Sequence, residues 1–182
     1  ILHGAGLILS VAFDEFYIDF SFIDGQRVTS VEGRDVAYSV FKETNKKIVE
    51  ALETQGAKAH GLISNIFECT MADPSLGYVG SIQSVDINLI NKVLELDSIP
   101  VIAPVGFQDN EVLNINADIA TVELVKAINP YKAIFLSEIG GIFNKTGQLI
   151  PNINLALEYK ELMQEKWLHS GMKLKLEQIK LA

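Results

Sequence analysis

Two rhythms of apolar and polar positions run along the chain. Short apolar runs rich in β-branched residues alternate with longer stretches in which apolar side chains recur every three or four positions. The first pattern predicts strands, the second amphipathic helices, and their alternation predicts an α/β domain with a mainly parallel open sheet. Strands are predicted at 59–64 (AHGLIS), 78–85 (YVGSIQSV), 99–105 (IPVIAPV), 112–116 (VLNIN) and 132–138 (KAIFLSE). Residues 20–30 (FSFIDGQRVTS) predict a hairpin turning at Asp24-Gly25, a pair that tolerates the backbone angles of a tight turn.

The clearest helix is 32–55. Val36, Val40, Ile48 and Leu52 share a face at multiples of four, with Ala37, Phe41 and Val49 beside them. Glu32 and Asp35 lie near its positive end, and Gly56 supplies a stop. Asp86 predicts a cap for a second helix, with Ile90, Val93 and Leu94 turned inward. A third is predicted from about Asp118 to Ile128, ending before Asn129-Pro130, and two more at 155–168 and 171–180. No repeat, low-complexity tract or linker interrupts the pattern, which predicts one compact unit.

Composition narrows the function classes. The 182 residues are 48% hydrophobic, enough for a sizeable core, and carry a net charge of −8. The basic residues are scattered apart from KLKLEQIK near the end, so nucleic acid is not expected as a constitutive partner. No run approaches the roughly 18 apolar residues of a membrane span. Cys69 is the one cysteine, which rules out an internal disulfide and fits an intracellular, reducing compartment. His3, His60 and His169 show no metal-ligand spacing with each other or with Cys69, and no G-x-S-x-G elbow is present. Ile1-Leu2 leads straight into HGAG as though ending a buried strand, and the last helix stops at EQIKLA without a cap. These termini lead us to expect a piece of a longer protein, incomplete at both ends.

Four places invite chemistry. HGAG (3–6) follows an apolar end, and its small residues let backbone N–H groups approach an anion, although such a turn is also a plain tight connection. Leu9 stands where a dinucleotide fingerprint needs its third glycine. Arg27, at the mouth of the hairpin, could grip a carboxylate with two parallel hydrogen bonds or remain a solvated surface charge. EIGG (138–141) closes a predicted strand where open sheets bind ligands, and also reads as a turn. In VLNINADIA (112–120), strand alternation puts Asn114, Asn116 and Asp118 on one face. Asp118 reads equally well as a helix cap, but two amides beside a sheet require partners, and a ligand would supply them.

Taken together, HGAG, DGQRVTS, GYVGSIQSVDINLINKVLELDSIPVIAPVG, LNINADIA, LSEIGGIFNKTGQLI and SGMKLK resemble, in order and approximate spacing, the N-acetylglutamate kinases of the amino acid kinase superfamily. The later part looks most like kinase domains fused to other arginine-biosynthesis enzymes, in fungal kinase–reductase precursors and bacterial synthase–kinases. The resemblance implies a three-layer αβα sandwich. Residues 1–128 would form most of the acetylglutamate-binding part and 129–182 the start of the nucleotide-binding part. It implies transfer of the γ-phosphoryl group of ATP, with Mg2+ as cofactor, onto the side-chain carboxylate of N-acetyl-L-glutamate in arginine biosynthesis.

Carried over by residue, Ala5 and Gly6 would offer backbone donors, Arg27 would grip the α-carboxylate, and Asn114 with Asn116 would bind the acetylated substrate. Asp118 would organise the catalytic lysines, and Lys175 would stabilise the transferring phosphoryl group. Ser137, Glu138, Gly140 and Gly141 would lie against the nucleotide, with no metal held by protein side chains. The chemistry is coherent, because a carboxylate acceptor with pKa near 4 is already ionised at neutral pH and needs no general base. Bringing two anions together instead demands positive charge, N–H donors and alignment.

The chain departs from the family in having Leu7-Ile8 where Pro-Gln is common. The family's first strand, with a lysine and paired glycines, would precede Ile1, so these residues alone are expected not to turn over. A homo-oligomer, possible regulation by arginine, and a bacterial cytoplasmic or fungal mitochondrial matrix location are further implications. A second reading is a regulatory, arginine-sensing domain of an N-acetylglutamate synthase. The trio Asn114, Asp118 and Lys175 favours the kinase. A dinucleotide-binding oxidoreductase domain is a third reading, opposed by the missing glycine.

Overall fold

A computed structural model describes residues 1–136, 140–168 and 170–181. The chain opens with helix α1 (Gly6–Glu15) and the hairpin strands β1 (Phe22–Ile23) and β2 (Gln26–Arg27). Asp24 and Gly25 turn the hairpin at φ 48° and 78°, as that dipeptide predicts. Helix α2 (Val31–Thr54) starts at Ser30, whose hydroxyl accepts the Gly33 N–H, and gives way to Gly56 at φ 83°. Strands β3 (Ala59–Leu62), β4 (Phe67–Met71) and β5 (Gly80–Val85) follow. Helix α3 (Ile87–Glu95) is capped by the Asp86 carboxylate, which accepts the Asn88 N–H. Strands β6 (Ile99–Ile102), β7 (Val105–Gln108) and β8 (Glu111–Asn114) lead to α4 (Ala117–Ile128), then α5 (Leu155–Gln164) and α6 (Ser170–Leu181).

The core sheet is open. Pairings between distant segments are parallel: β3 with β6, β4 with β7, and the bridges Leu2–Ile102, Thr29–Gly77 and Val79–Asn114. Among the described residues, antiparallel pairing is confined to strands consecutive in sequence, β1–β2, β4–β5 and β7–β8, and to the bridge Phe143–Leu149. Adjacent residues of the sheet feed opposite cores. Ile102 joins Leu62, Phe67, Ile90, Val93, Leu113 and Ala120 beneath α3 and α4. Ala103 joins Leu9, Phe13, Ala37 and Phe41 beneath α1 and α2. Helices therefore cover both faces, the layered arrangement expected from the alternating pattern.

Several expectations change. The run 99–105 is not one strand. Pro104 has no N–H to donate, and the Val105 N–H turns back to the Ala103 carbonyl at 2.9 Å, so the chain leaves β3 and pairs with β4 and β8 instead. The strand expected at 112–116 stops at Asn114, because Asn116 opens α4. Residues 132–136 of the expected strand 132–138 form no ladder, and Ile134 and Leu136 are exposed. Leu94 is half exposed rather than inward. Helix α1 and strand β4 were not anticipated.

Helix α1 ends awkwardly. Tyr17 follows its C-cap in the left-handed region at φ 56°, where glycine or asparagine is usual, and its side chain is 95% exposed. Tyr17→Gly removes that steric cost and loses no packing, so stability should rise by about 0.5–1 kcal/mol. A urea-unfolding midpoint unchanged or lowered by the substitution would contradict this.

Cys69 is buried between two strands where glycines leave room. A Cβ at Gly80 would lie 3.1 Å from its Sγ, and one at Gly106 would lie 3.0 Å from Ile115 Cδ1. Burial pushes the thiol up to about 11. Peptide mapping after alkylation at pH 8 should find Cys69 unlabelled in the native protein and labelled only in denaturant. Equal labelling in both conditions would refute the burial.

Candidate functional site

The residues Gly4 to Asp118 meet at a cleft of about 480 Å³, walled by Gly4, Ala5 and Gly6, by the hairpin residues Phe22, Gly25 and Arg27, and by Asn114 to Asp118. The amino-terminal segment runs beside β6, with the His3 N–H donating to the Ile102 carbonyl at 3.1 Å. Gly4 packs closely, since a Cβ there would sit 3.3 Å from the Ala117 Cβ on the first turn of α4. Ala5 is the N-cap of α1 but offers no side-chain cap, so the helix's leading N–H groups are left for an incoming anion. A Cβ at Gly6 would meet nothing within 4 Å, which keeps that end open to the cleft.

Arg27 is the most constrained charge in the cleft. Its side chain is not a solvated surface group, because the residue is only 8% exposed. Nη2 donates to the Gly6 carbonyl at 3.2 Å and to Ser10 Oγ at 2.8 Å. The guanidinium carbon lies 4.2 Å from the Phe20 ring centre, 4.8 Å from Phe22 and 5.1 Å from Phe13. Burial pulls its pKa below the ordinary arginine value, with the Asp14 charge opposing the shift. Nη1 is buried and has no hydrogen-bond partner among the described residues. A guanidinium edge left in this state is costly unless something accepts from it.

Asn114 donates from Nδ2 to Thr29 Oγ1 at 3.0 Å, and that hydroxyl donates to the Arg27 carbonyl at 2.9 Å. The amide and the arginine strand are thereby tied together through one buried threonine. Asn116, expected on the same strand face, instead caps α4: its Oδ1 accepts the N–H groups of Asp118 and Ile119 at 2.9 and 3.2 Å. Its Nδ2 donates to the Gly25 carbonyl at 3.4 Å. The alternation therefore ends at Asn114, and Asp118 is a first-turn residue rather than the cap, at a position where the helix dipole favours a carboxylate. All three still line the cleft.

Lys175, on α6, forms an ion pair with Asp118 Oδ1, and both side chains are about a quarter exposed at 22% and 24%. Its ammonium also lies 5.6 Å from the Phe135 ring centre. Gly140 and Gly141 lie at φ 75° and 154°, beyond the residues that wall this cleft. Ser137 and Glu138 lie outside the described residues. His3 is a core residue: it is buried, with Nε2 3.3 Å from the Asn45 amide nitrogen, and burial lowers its pKa. It belongs to packing rather than proton transfer. Sequence reasoning missed Ser10, Thr29 and the three phenylalanines. The density of phenylalanine in FDEFYIDFSF was the available signal for the last.

Comparison with known proteins gives a consistent picture. Residues 1–182 match the amino acid kinase family. The chain is 42% identical to an acetylglutamate kinase of Xylella fastidiosa strain Temecula1 over 99% of its own length and 43% of that protein. It is 35% identical to the bifunctional protein argC, mitochondrial, of Dictyostelium discoideum, over 99% of this chain and 22% of that one. The chain thus spans less than half the length of these relatives. A crystal structure of a Streptococcus mutans UA159 protein superposes with a TM-score of 0.90 at 24% identity, covering 98% of this chain and 74% of that chain. An open sheet with helices on both faces, a glycine-walled cleft at its edge and a family match along all 182 residues lead to one assignment: the chain belongs to the amino acid kinase family.

Proposed function

We propose that the protein carrying this chain is an acetylglutamate kinase, which moves the γ-phosphoryl group of ATP to the side-chain carboxylate of N-acetyl-L-glutamate in arginine biosynthesis. One observation carries the reading: Arg27 stands in the cleft wall, and its buried Nη1 has no partner among the described residues. A carboxylate is the group that such a guanidinium edge fits. In this reading Arg27 takes the α-carboxylate, while Asn114 and Asn116 contact the acetylated end. The N–H groups after Ala5 meet the oxygens that gain charge during transfer. Lys175, aimed by Asp118, neutralises the phosphoryl group. The acceptor carboxylate is already a nucleophile, so the residues need only bind, align and screen charge.

Residues 1–128 supply the acyl amino acid side of this site and 129–182 begin the nucleotide side. Among the described residues no three His, Cys, Asp or Glu side chains converge on a metal position. Asp118, the acidic residue in the cleft wall, is engaged by Lys175. Mg2+ accordingly fits as an ion brought by the nucleotide phosphates, whose charge it offsets, and it keeps much of its water. A homo-oligomer, arginine as a regulator and a fused arginine-biosynthesis domain extend the same reading. The compartment is then the bacterial cytoplasm or the fungal mitochondrial matrix.

A coupled ADP-release assay on the full-length protein tests the proposal. N-acetyl-L-glutamate should support turnover well above that with glutamate or aspartate. ADP release that is indifferent to the acetyl group, or absent with this acceptor, defeats it.

A further inference from the structure

Arg27 is held in an unusual way. Phe22 is its direct cross-strand partner in the hairpin, Phe20 lies two residues before Phe22, and Phe13 comes from α1. The three rings lie 4.2–5.1 Å from the guanidinium carbon, inside the range in which a ring's quadrupole attracts a cation. Phe13 and Phe20 pack edge to face at 5.7 Å, and Phe20 and Phe22 at 5.9 Å, so the rings brace one another. The two hydrogen bonds from Nη2 fix one edge of the guanidinium, and the rings restrain its plane. What remains is Nη1, buried and unpartnered among the described residues.

The hairpin itself cannot supply this rigidity. Each of its strands is two residues long, and a two-stranded ribbon of that size is marginal in water. Phe22 also walls the cleft and is 56% exposed, so its ring borders the space an acceptor would occupy.

We propose that Phe20 and Phe22 are positioning residues, forming with Phe13 an aromatic cage that orients Arg27 so that its free edge receives the substrate's α-carboxylate. The inference rests on the acetylglutamate kinase reading and deepens it. The cage favours a planar, weakly hydrated cation, which explains an arginine here rather than a lysine. Its influence runs through the carboxylate alone. It should appear in binding of the acyl amino acid and leave both phosphoryl transfer and nucleotide binding alone.

The test uses the full-length protein with Phe22→Leu, which keeps apolar bulk but removes the ring, and Phe22→Tyr, which keeps the ring. Phe20→Leu is a second site. In steady-state assays Phe22→Leu should raise KM for N-acetyl-L-glutamate by about three- to tenfold. kcat and KM for ATP should stay within about twofold, and Phe22→Tyr should restore the wild-type value. In an Arg27→Lys background, Phe22→Leu should add little. Direct titration with N-acetyl-L-glutamate, followed through the Arg27 side-chain N–H resonance, gives the same comparison without turnover. A wild-type protein that neither binds nor phosphorylates N-acetyl-L-glutamate overturns the functional reading itself. A wild-type protein that does both, with Phe22→Leu binding equally well or with kcat falling by as much as KM rises, overturns the cage alone.

Discussion

Asp118→Asn in the full-length protein should lower the proposed kinase kcat by about 10²–10³-fold while the protein remains folded. The substitution keeps the shape of the side chain, and the cap of α4 is untouched because Asn116 provides it. What disappears is the negative charge that holds the Lys175 ammonium across 57 residues of sequence. A lysine released from that pairing spreads over many rotamers, and a transition state with charge on three phosphoryl oxygens loses a fixed counter-charge. Lys175→Ala should cost a similar factor. The double variant should be little worse than either single one, because two groups acting as a unit are not additive. The partial exposure of the pair argues that it contributes little to stability. The unfolding midpoint should therefore move far less than the rate. Either variant within about twofold of wild type in kcat would remove both residues from the proposed machinery.

Arg27→Lys should raise KM for N-acetyl-L-glutamate by about 10–100-fold, with kcat at saturation changed much less and KM for ATP unchanged. Hydrogen bonds to a charged group contribute about 1.5–3 kcal/mol, and a lysine loses the separate Nη1 donor left over for the carboxylate. The lysine can keep the charge, but it cannot satisfy Gly6, Ser10 and a carboxylate from one planar group. Lysine is a better probe than alanine here, since alanine would also empty the space among Phe13, Phe20 and Phe22. A substrate analogue with its α-carboxylate replaced by an amide should show no difference between the two proteins. A fall in kcat at unchanged KM would place Arg27 at the phosphoryl end instead.

Local signals foretold the elements whose causes are local. Asp24-Gly25 announced the hairpin, the spacing from Val36 to Leu52 announced α2, and Asp86 announced its cap. Helix α1 escaped because it has no polar stripe: Leu9, Ala12 and Phe13 are buried, yet Leu7, Ile8 and Val11 on its other side are also apolar. The break at Pro104 was visible as a residue but not as a change of partner, which depends on where β4 lies. Asn116 and Asp118 compete for the same capping role two positions apart, and only the backbone angles separate them.

For the cleft, Ala5, Gly6, Arg27, Asn114, Asn116 and Asp118 were all marked by residue type or by resemblance, and they do meet. The burial of Arg27 was not legible, since it arises from three rings that approach it from α1 and the hairpin. Nor was Thr29, whose role as a link between Asn114 and Arg27 exists only once two distant segments touch.

The single amide of Asn116 has a consequence for anyone redesigning the protein. One of its atoms fixes the start of the helix bearing Asp118, and the other reaches the turn of the hairpin bearing Arg27. In the proposed function, acceptor recognition and transfer machinery therefore share one joint, and aspartate at 116 would preserve the first attachment while discarding the second. New acceptor preferences are better sought by rebuilding residues 20–27 around an unaltered joint than by editing the joint itself.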